Sequence, residues 1–330
     1  MSNNLFRKAN AAAAQYIEEA ILSADSIGIV GHIRPDGDDV GACLGMKGYI
    51  GIIKPSAKVT VYLQDFSKDF AFLRGAGEVV HDFSAETRHD LCFMLDCADM
   101  ERMGEAGKYY EKAGKRICID HHATNDGVFD SYEIINPERS SSCEVICTLI
   151  DMDRLDRETA ECLYLGIVHD TGVFKHSNTS METMIYAGKL IDLGASPSKI
   201  IDNTFYKKTF EQIRALGTAL TKAKRLLDGK LIYSFFTNEM MKQANVSSMD
   251  LDGVIDQLRV TEGTEVALFI YEMPAGGSFK VSLRSNGPVD VSIIAKEFGG
   301  GGHVKAAGCE INGTPEDIAL ILAEKVKEQL

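Results

Sequence analysis

The chain is 330 residues long, 45% of them apolar, and carries a formal charge of −13 from 35 Lys and Arg against 48 Asp and Glu. The length suits two domains, and the acidic balance excludes a protein that wraps long duplex nucleic acid, which needs a broad basic face. A small anionic substrate is not excluded, because bound metal and a few local Arg or Lys can invert the field inside a cleft.

The opening stretch, MSNNLFRKANAAAAQYIEEAIL, lacks the layout of a signal peptide. Gln15, Glu18 and Glu19 break its apolar positions, so it reads as an amphipathic helix over residues 5–22. A strand at 26–31, a helix at 39–53 and a strand at 57–63 follow. Strands at 91–95 and 116–119 come next, with a helix at 105–113 between them, then helices at 142–150, 157–169 and 181–193. This alternation predicts an α/β fold with a doubly wound parallel sheet over residues 1–193. Gly194-Ala195-Ser196-Pro197 breaks the pattern, and Phe210, Ile213, Leu216 and Leu220 at helical spacing predict a helical connector over 194–228. From 229 to 330 a smaller α+β domain is expected: strand 231–236, helix 249–259, strands 265–272 and 278–285, helix 290–297, the glycine run Gly299–Gly302, a strand at 308–311 and a helix at 315–329. No stretch approaches the roughly 18–20 apolar residues needed to span a bilayer, so no membrane partner is expected. The eight cysteines lie mostly inside apolar runs and form no CxxC pair, which predicts reduced core thiols in a cytoplasmic protein.

The chemistry concentrates where apolar runs end. Ser26–Gly31 leads into His32, Asp36 and Asp38; Leu91–Leu95 into Asp96; Arg116–Ile119 into Asp120, His121 and His122; and the helical run ending at Val168 into Asp170, Thr171 and Gly172. In open α/β sheets, ligands bind beyond the carboxyl ends of the strands. Each cluster alone has a bland reading as a helix cap or turn. On a helix Asp36 and Asp38 would point about 200° apart, but Pro35 and Gly37 mark a loop that can curl both carboxylates towards one point. Consecutive residues of an extended chain point to opposite sides, so one of His121 and His122 can bind metal while the other is free for substrate, with Asp120 orienting the ligating ring. Asp39 reads as the cap of the following helix, Cys97 as packing, and His169 and His176 as structural or surface residues. Oxygen-rich ligation with two histidines and no cysteine suits Mn²⁺ or Mg²⁺ better than structural zinc. Five carboxylates are too many for one ion. Two ions about 3.5–4 Å apart would use them, activate water and clamp the oxygens of an in-line displacement at phosphorus.

These residues resemble the DHH phosphoesterase superfamily: His32-Ile33-Arg34-Pro35-Asp36-Gly37-Asp38, the segment Asp96–Asp99, the triplet Asp120–His122 and the element Asp170–Gly172. The second half resembles its DHHA1 domain through Ser282-Leu283-Arg284-Ser285 and Gly299–Gly302 followed by His303. The compact two-domain length is similar to the NrnA-like branch, bifunctional oligoribonucleases and 3′,5′-bisphosphate nucleotide (pAp) phosphatases. RecJ-like exonucleases are longer, and family II pyrophosphatases have a different C-terminal domain. The resemblance implies that His32, Asp36 and Asp96 hold one Mn²⁺, and that Asp38, Asp96, His121 and Asp170 hold a second, with Asp96 bridging. It implies that His122, next to Asp120, contacts the scissile phosphate, and that Arg284, Ser285, Gly300, Gly301, Gly302 and His303 grip a substrate phosphate. From below, glycines let backbone N–H groups approach an anion, and arginine offers a bidentate fork. The family often places a small hydroxyl residue after the first motif's glycine, whereas here Ala42 follows Gly41.

The leading expectation is a Mn²⁺-dependent phosphodiesterase that hydrolyses short RNA or linear dinucleotides to 5′-mononucleotides and removes the 3′-phosphate of pAp. The near alternative is a phosphodiesterase of c-di-AMP or pApA. A catalytically silent nucleotide sensor is opposed by the complete ligand set, and a polynucleotide exonuclease by the charge. The oligomeric state is left open, a homodimer included.

Overall fold

A computed structural model describes residues 10–127, 131–251 and 253–330. The chain divides into two units, residues 1–207 and 208–330. Residues 5–9 of the expected first helix lie outside the described residues.

The first unit is an α/β layer structure. Its elements are α1 (Ala11–Ser23), β1 (Ser26–Val30), α2 (Gly37–Ile53), β2 (Lys58–Tyr62), β3 (Leu91–Leu95), α3 (Gly107–Glu111), β4 (Lys115–Asp120), β5 (Tyr132–Ile135), α4 (Ser142–Leu149), α5 (Arg157–Asp170), α6 (Met181–Asp192) and α7 (Pro197–Ile201). The five strands are all parallel, in the order β2-β1-β3-β4-β5. Alternate residues of each strand feed two cores, as the pleat requires. Ile27, Ile29, Leu91, Phe93, Leu95, Ile117 and Ile119 join α1, α2, α4 and α5 on one face. Val30, Cys92, Met94 and Cys118 meet Met103, Tyr109 and Tyr110 on the other. Each fully buried Ile, Leu or Phe contributes roughly 1.5–3 kcal/mol. Strand β5 was not expected: its four residues are half-buried or exposed at the sheet edge, too short for a visible period.

Two glycine contacts bring α2 and α5 close together. A Cβ on Gly41 would lie 2.6 Å from the Cys162 carbonyl oxygen, and one on Gly166 would lie 2.4 Å from Asp38 Oδ1. The strand order reverses between β1 and β3, and such a switch point leaves a crevice at the carboxyl ends of the two strands. His32 follows β1 and Asp96 follows β3, so both open into that crevice.

At the opposite end of the sheet His89 is buried, with Ser26 Oγ 2.7 Å from Nδ1 and Tyr62 Oη 3.0 Å from Nε2. Burial lowers its pKa. A depressed histidine pKa contributes stability that is complete above about 6.5 and lost as pH falls through the folded value. The Tm difference between wild type and His89→Gln is expected to shift against the wild type between pH 7 and pH 5. Parallel curves for the two proteins would show that His89 titrates alike in the folded and unfolded states.

The second unit contains α8 (Phe210–Thr221), β6 (Lys224–Leu226), β7 (Leu231–Phe236), α9 (Asn238–Ala244), α10 (Val254–Arg259), β8 (Val266–Glu272), β9 (Ser278–Ser285), α11 (Val291–Glu297), β10 (Gly301–His303), β11 (Ala306–Asn312) and α12 (Pro315–Lys327). Its sheet runs β10-β11-β9-β8-β7-β6, with only β7 and β8 parallel. One face packs Leu268, Val281 and Leu283 against Ile294, Ile318 and Leu322. On the other face, Ile232, Ala267 and Phe269 are covered by Ala215, Ala219, Met241 and Leu258. Helix α8 therefore buries its alanines, and the spacing of Phe210, Ile213 and Leu220 misleads: all three are exposed. The expected helix at 249–259 is a single 3₁₀ turn, Ser248–Leu251, followed by α10, and residue 252 lies outside the described residues.

Candidate metal centre

Helix α2 starts at Gly37, two residues earlier than expected, because Asp36 caps it: the Asp36 carboxylate accepts the backbone N–H groups of Asp38 (3.0 Å) and Asp39 (3.2 Å). Asp38 therefore sits in the first helical turn, not in a loop. It is fully buried and caps a different helix, accepting the N–H groups of Ser142 (2.6 Å) and Cys143 (3.0 Å) at the start of α4. Free N–H groups at a helix start favour a carboxylate there. Asp39 is not the cap. Its buried carboxylate accepts the His32 backbone N–H at 3.2 Å, in space that a side chain at position 31 would fill.

His32 Nε2 lies 3.8 Å from Asp36 Oδ1 and 3.7 Å from Asp96 Oδ2, while Nδ1 is fixed at 2.8 Å from the Ile33 carbonyl. His121 Nε2 lies 3.1 Å from Asp170 Oδ2, 3.6 Å from Asp96 Oδ1 and 3.9 Å from Asp38 Oδ2. Three donor sets thus have ligand atoms within 4.8 Å of one another: His32, Asp36 and Asp96; Asp38, His121 and Asp170; and Asp96, His121 and His122. The structure brings together all six residues that the family resemblance assigns to metal.

The DHH triplet departs from the expectation for it. Strand β4 ends at Asp120, so the chain is no longer extended and the two imidazoles lie on one side, 4.7 Å apart. Asp120 orients His122, not His121: its Oδ1 accepts His122 Nδ1–H at 2.7 Å and the His121 backbone N–H at 2.8 Å. His122 Nε2 is left as the free nitrogen.

Burial, with Asp96, Asp170 and Asp36 close by, pushes the Asp38 carboxyl well above the usual range. Burial beside Asp36 and Asp170 pushes Asp96 up to about 6. Burial opposes charge on His32, but Asp36, Asp39 and Asp96 pull its imidazole up to about 9. Burial likewise opposes charge on His121, and Asp170 and Asp96 pull it up to about 9. Among the described residues no Lys or Arg pairs with Asp36, Asp38, Asp96 or Asp170. Crowded carboxylates whose cationic partners among the described residues are imidazoles fit divalent cations.

Sequence reasoning missed two residues. Ser142 Oγ donates to Asp96 Oδ1 at 2.9 Å while its N–H holds Asp38, so it fixes both carboxylates. The run Ser140-Ser141-Ser142 ahead of an apolar helix signals a helix start, but partners 46 and 104 residues away carry no local signal. Asn125 Nδ2 donates to Asp120 Oδ2 at 2.8 Å. Together with His122, it holds the Asp120 carboxyl below its ordinary range against the effect of burial. Outer hydrogen bonds of this kind are typically worth 10–100-fold in metal affinity or activity. Ser142→Ala is expected to weaken divalent-metal affinity about tenfold or more with little change in far-UV circular dichroism, read by metal titration. Wild-type affinity in that variant would leave Ser142 a purely structural cap. His169 packs between Phe70 and Phe205, at ring distances of 5.2 and 4.7 Å.

In the second unit, Arg284 and His303 share one row of the sheet. Ala306 pairs with Arg284 on one side and with His303 on the other. The two side chains therefore stand on one face about 10 Å apart, two strand spacings, with the alanine methyl between them. Strand β10 starts within the glycine run, at Gly301, and Gly300 is packed so closely that a Cβ would lie 2.1 Å from the Gly308 carbonyl oxygen. Ser285 points the other way: it is buried and its Oγ faces the Gly287 carbonyl at 3.4 Å.

The sequence profile of the DHH family N-terminal domain matches residues 26–167, and that of the DHHA1 domain matches residues 228–330. The bifunctional oligoribonuclease and PAP phosphatase NrnA of Thermus thermophilus is 29% identical, with 97% of each chain covered. The cyclic-di-AMP phosphodiesterase PdeA of Listeria monocytogenes is 26% identical over 94% of this chain and 48% of its own length. Among solved structures, an exopolyphosphatase-related protein from Bacteroides fragilis superposes with a TM-score of 0.79 at 26% identity, covering 96% of each chain. The chain belongs to the DHH phosphoesterase family, metal-dependent hydrolases of phosphate esters, and carries a DHHA1 domain over residues 228–330.

Proposed function

We propose that this protein is a cytoplasmic, Mn²⁺-dependent phosphodiesterase that hydrolyses short oligoribonucleotides and linear dinucleotides to 5′-mononucleotides, and also removes the 3′-phosphate of pAp. The observation that carries the reading is the pair of donor sets His32, Asp36, Asp96 and Asp38, His121, Asp170, with His122 held beside them by Asp120. The Thermus relative named for both activities supports the substrate class.

His32, Asp36 and Asp96 would hold one ion, and Asp38, Asp96, His121 and Asp170 the other. When bound, two such ions supply Lewis-acid activation of water and neutralise charge on the phosphoryl oxygens. Asp120 sets the His122 tautomer, so that Nε2 faces outward to donate to a non-bridging oxygen of the scissile phosphate. Its hydrogen bond to Asp120 raises the His122 pKa, which favours the charged donor as negative charge develops. Arg284 and His303, on their shared face, bind another phosphate of the substrate. The −13 charge disfavours long strands.

The test is a product time course with Mn²⁺ on pApA, c-di-AMP, pAp and a 5′-phosphorylated RNA ladder of two to ten nucleotides. Fast turnover of the shortest RNAs with a steep fall beyond them is the expected result; preference for c-di-AMP would overturn it. Arg284→Ala should raise KM on dinucleotides about tenfold or more, because charge-assisted bonds to phosphate are worth roughly 1.5–3 kcal/mol, while bound metal is retained. An unchanged KM would remove Arg284 from the phosphate site.

A further inference from the structure

Two exposed arginines stand on the loops that follow β1 and β3, the loops that also carry His32, Asp36 and Asp96. Arg34 lies between His32 and Asp36 in the first motif, and Arg102 lies in the 3₁₀ segment Glu101–Ala106 that follows β3. The loops that carry them are tied together: the Ile33 N–H donates to the Arg102 carbonyl at 2.6 Å. Arg34 is held in left-handed backbone at φ 58°, and its N–H is pinned by Gln64 Oε1 at 3.0 Å. A non-glycine residue in that conformation is uncommon and, beside a functional centre, points to a presented side chain.

Both side chains are exposed, and among the described residues neither guanidinium makes an ion pair or a hydrogen bond. Arg139, the arginine whose carbonyl faces His121, is by contrast paired with Glu144 at 3.1 Å. A concavity of about 510 Å³ is walled by Gln64, Asp65, His81, Asp82, Phe83, Ser84 and Glu105, two of which belong to or contact these loops. Gln64 links it to Arg34, and Glu105 to the segment of Arg102. The volume is within the usual range for small-molecule sites. Its carboxylates repel phosphate but accept N–H and O–H donors, such as base amino groups and ribose hydroxyls.

We propose that Arg34, Arg102 and this concavity form a subsite for the nucleotide adjoining the scissile phosphodiester. The two guanidiniums take its phosphate and the pocket takes its nucleoside. The subsite rests on the reading of the centre as an oligonucleotide phosphodiesterase, and it places a second phosphate contact within the first unit, independent of Arg284.

The experiment compares wild type with Arg34→Asn, Arg102→Ala and the double variant. Asparagine tolerates left-handed backbone, so the loop can keep its shape without the charge. Each is assayed on the trinucleotide pApApA and on bis(p-nitrophenyl) phosphate, which carries a scissile phosphate and nothing beyond it. The expected result is that kcat/KM falls at least tenfold further on the trinucleotide than on the small diester. The slope of log kcat/KM against log salt on the trinucleotide should also become shallower, by about 0.7 in the double variant, in which the one phosphate has lost both guanidiniums. An equal fall on both substrates, or an unchanged salt slope, would overturn the subsite and leave the arginines as supports of the loop. Wild-type cleavage of the small diester with no cleavage or binding of any oligonucleotide would instead overturn the functional reading, and the subsite with it.

Discussion

Asp96→Ala is expected to abolish turnover, by 10³-fold or more, equivalent to about 4 kcal/mol of transition-state stabilisation, and to lower the content of tightly bound divalent metal. Asp96 belongs to two of the three donor sets, and its two oxygens face His32 on one side and His121 on the other. Asp96→Asn should behave alike, because an amide keeps the shape but not the charge. The stability change should reverse sign with metal. Without metal the buried Asp96 carboxyl sits at about 6, above its ordinary value. Such a group costs the fold stability progressively as pH rises from about 4 through 6. In EDTA at pH 7 the Asn variant should therefore melt above the wild type, and in Mn²⁺ below it. Full metal content with activity within tenfold of wild type would show that Asp96 does not bridge the two sets.

The second large effect is expected at Gly166→Ala. By helix propensity alone the change would stabilise α5 by about 1 kcal/mol. A Cβ there would lie 2.3 Å from Cys143 Sγ and 2.4 Å from Asp38 Oδ1, inside the contact that lets Asp38 cap α4. Overpacking of this kind typically costs about 1–3 kcal/mol, and displacing Asp38 would disturb one donor set as well. A Tm lower by several degrees together with weaker metal binding is the expected outcome. Gly188→Ala in α6, where nothing lies within 4 Å of the new methyl, is the control and should raise stability slightly. Equal Tm shifts in both variants would mean that the α2–α5 contact relaxes freely.

Much of the site is legible in the chain because each ligand follows an apolar run that is itself a local signal. His32 and Asp96 end strands whose residues alternate between two buried faces, and the reversal of strand order between β1 and β3 places them at the same crevice. Asp38 was legible as a ligand type but not as a structure: its partners on α4 are more than a hundred residues away. Phe210, Ile213 and Leu220 show the limit of periodicity, since the helix they mark buries Ala215 and Ala219 instead.

Residue order by itself determined the two-domain α/β plan, the positions of the strand ends and the residue types gathered there, because strand period, turn residues and donor chemistry are local properties. Only the tertiary structure decided which imidazole Asp120 orients, that Ser142 and Asn125 hold the carboxylates, and that the loops of Arg34 and Arg102 are tied to each other. Those outcomes depend on distances between side chains far apart in the chain, set by where the strands end and how closely α2 and α5 approach, and no local pattern encodes them.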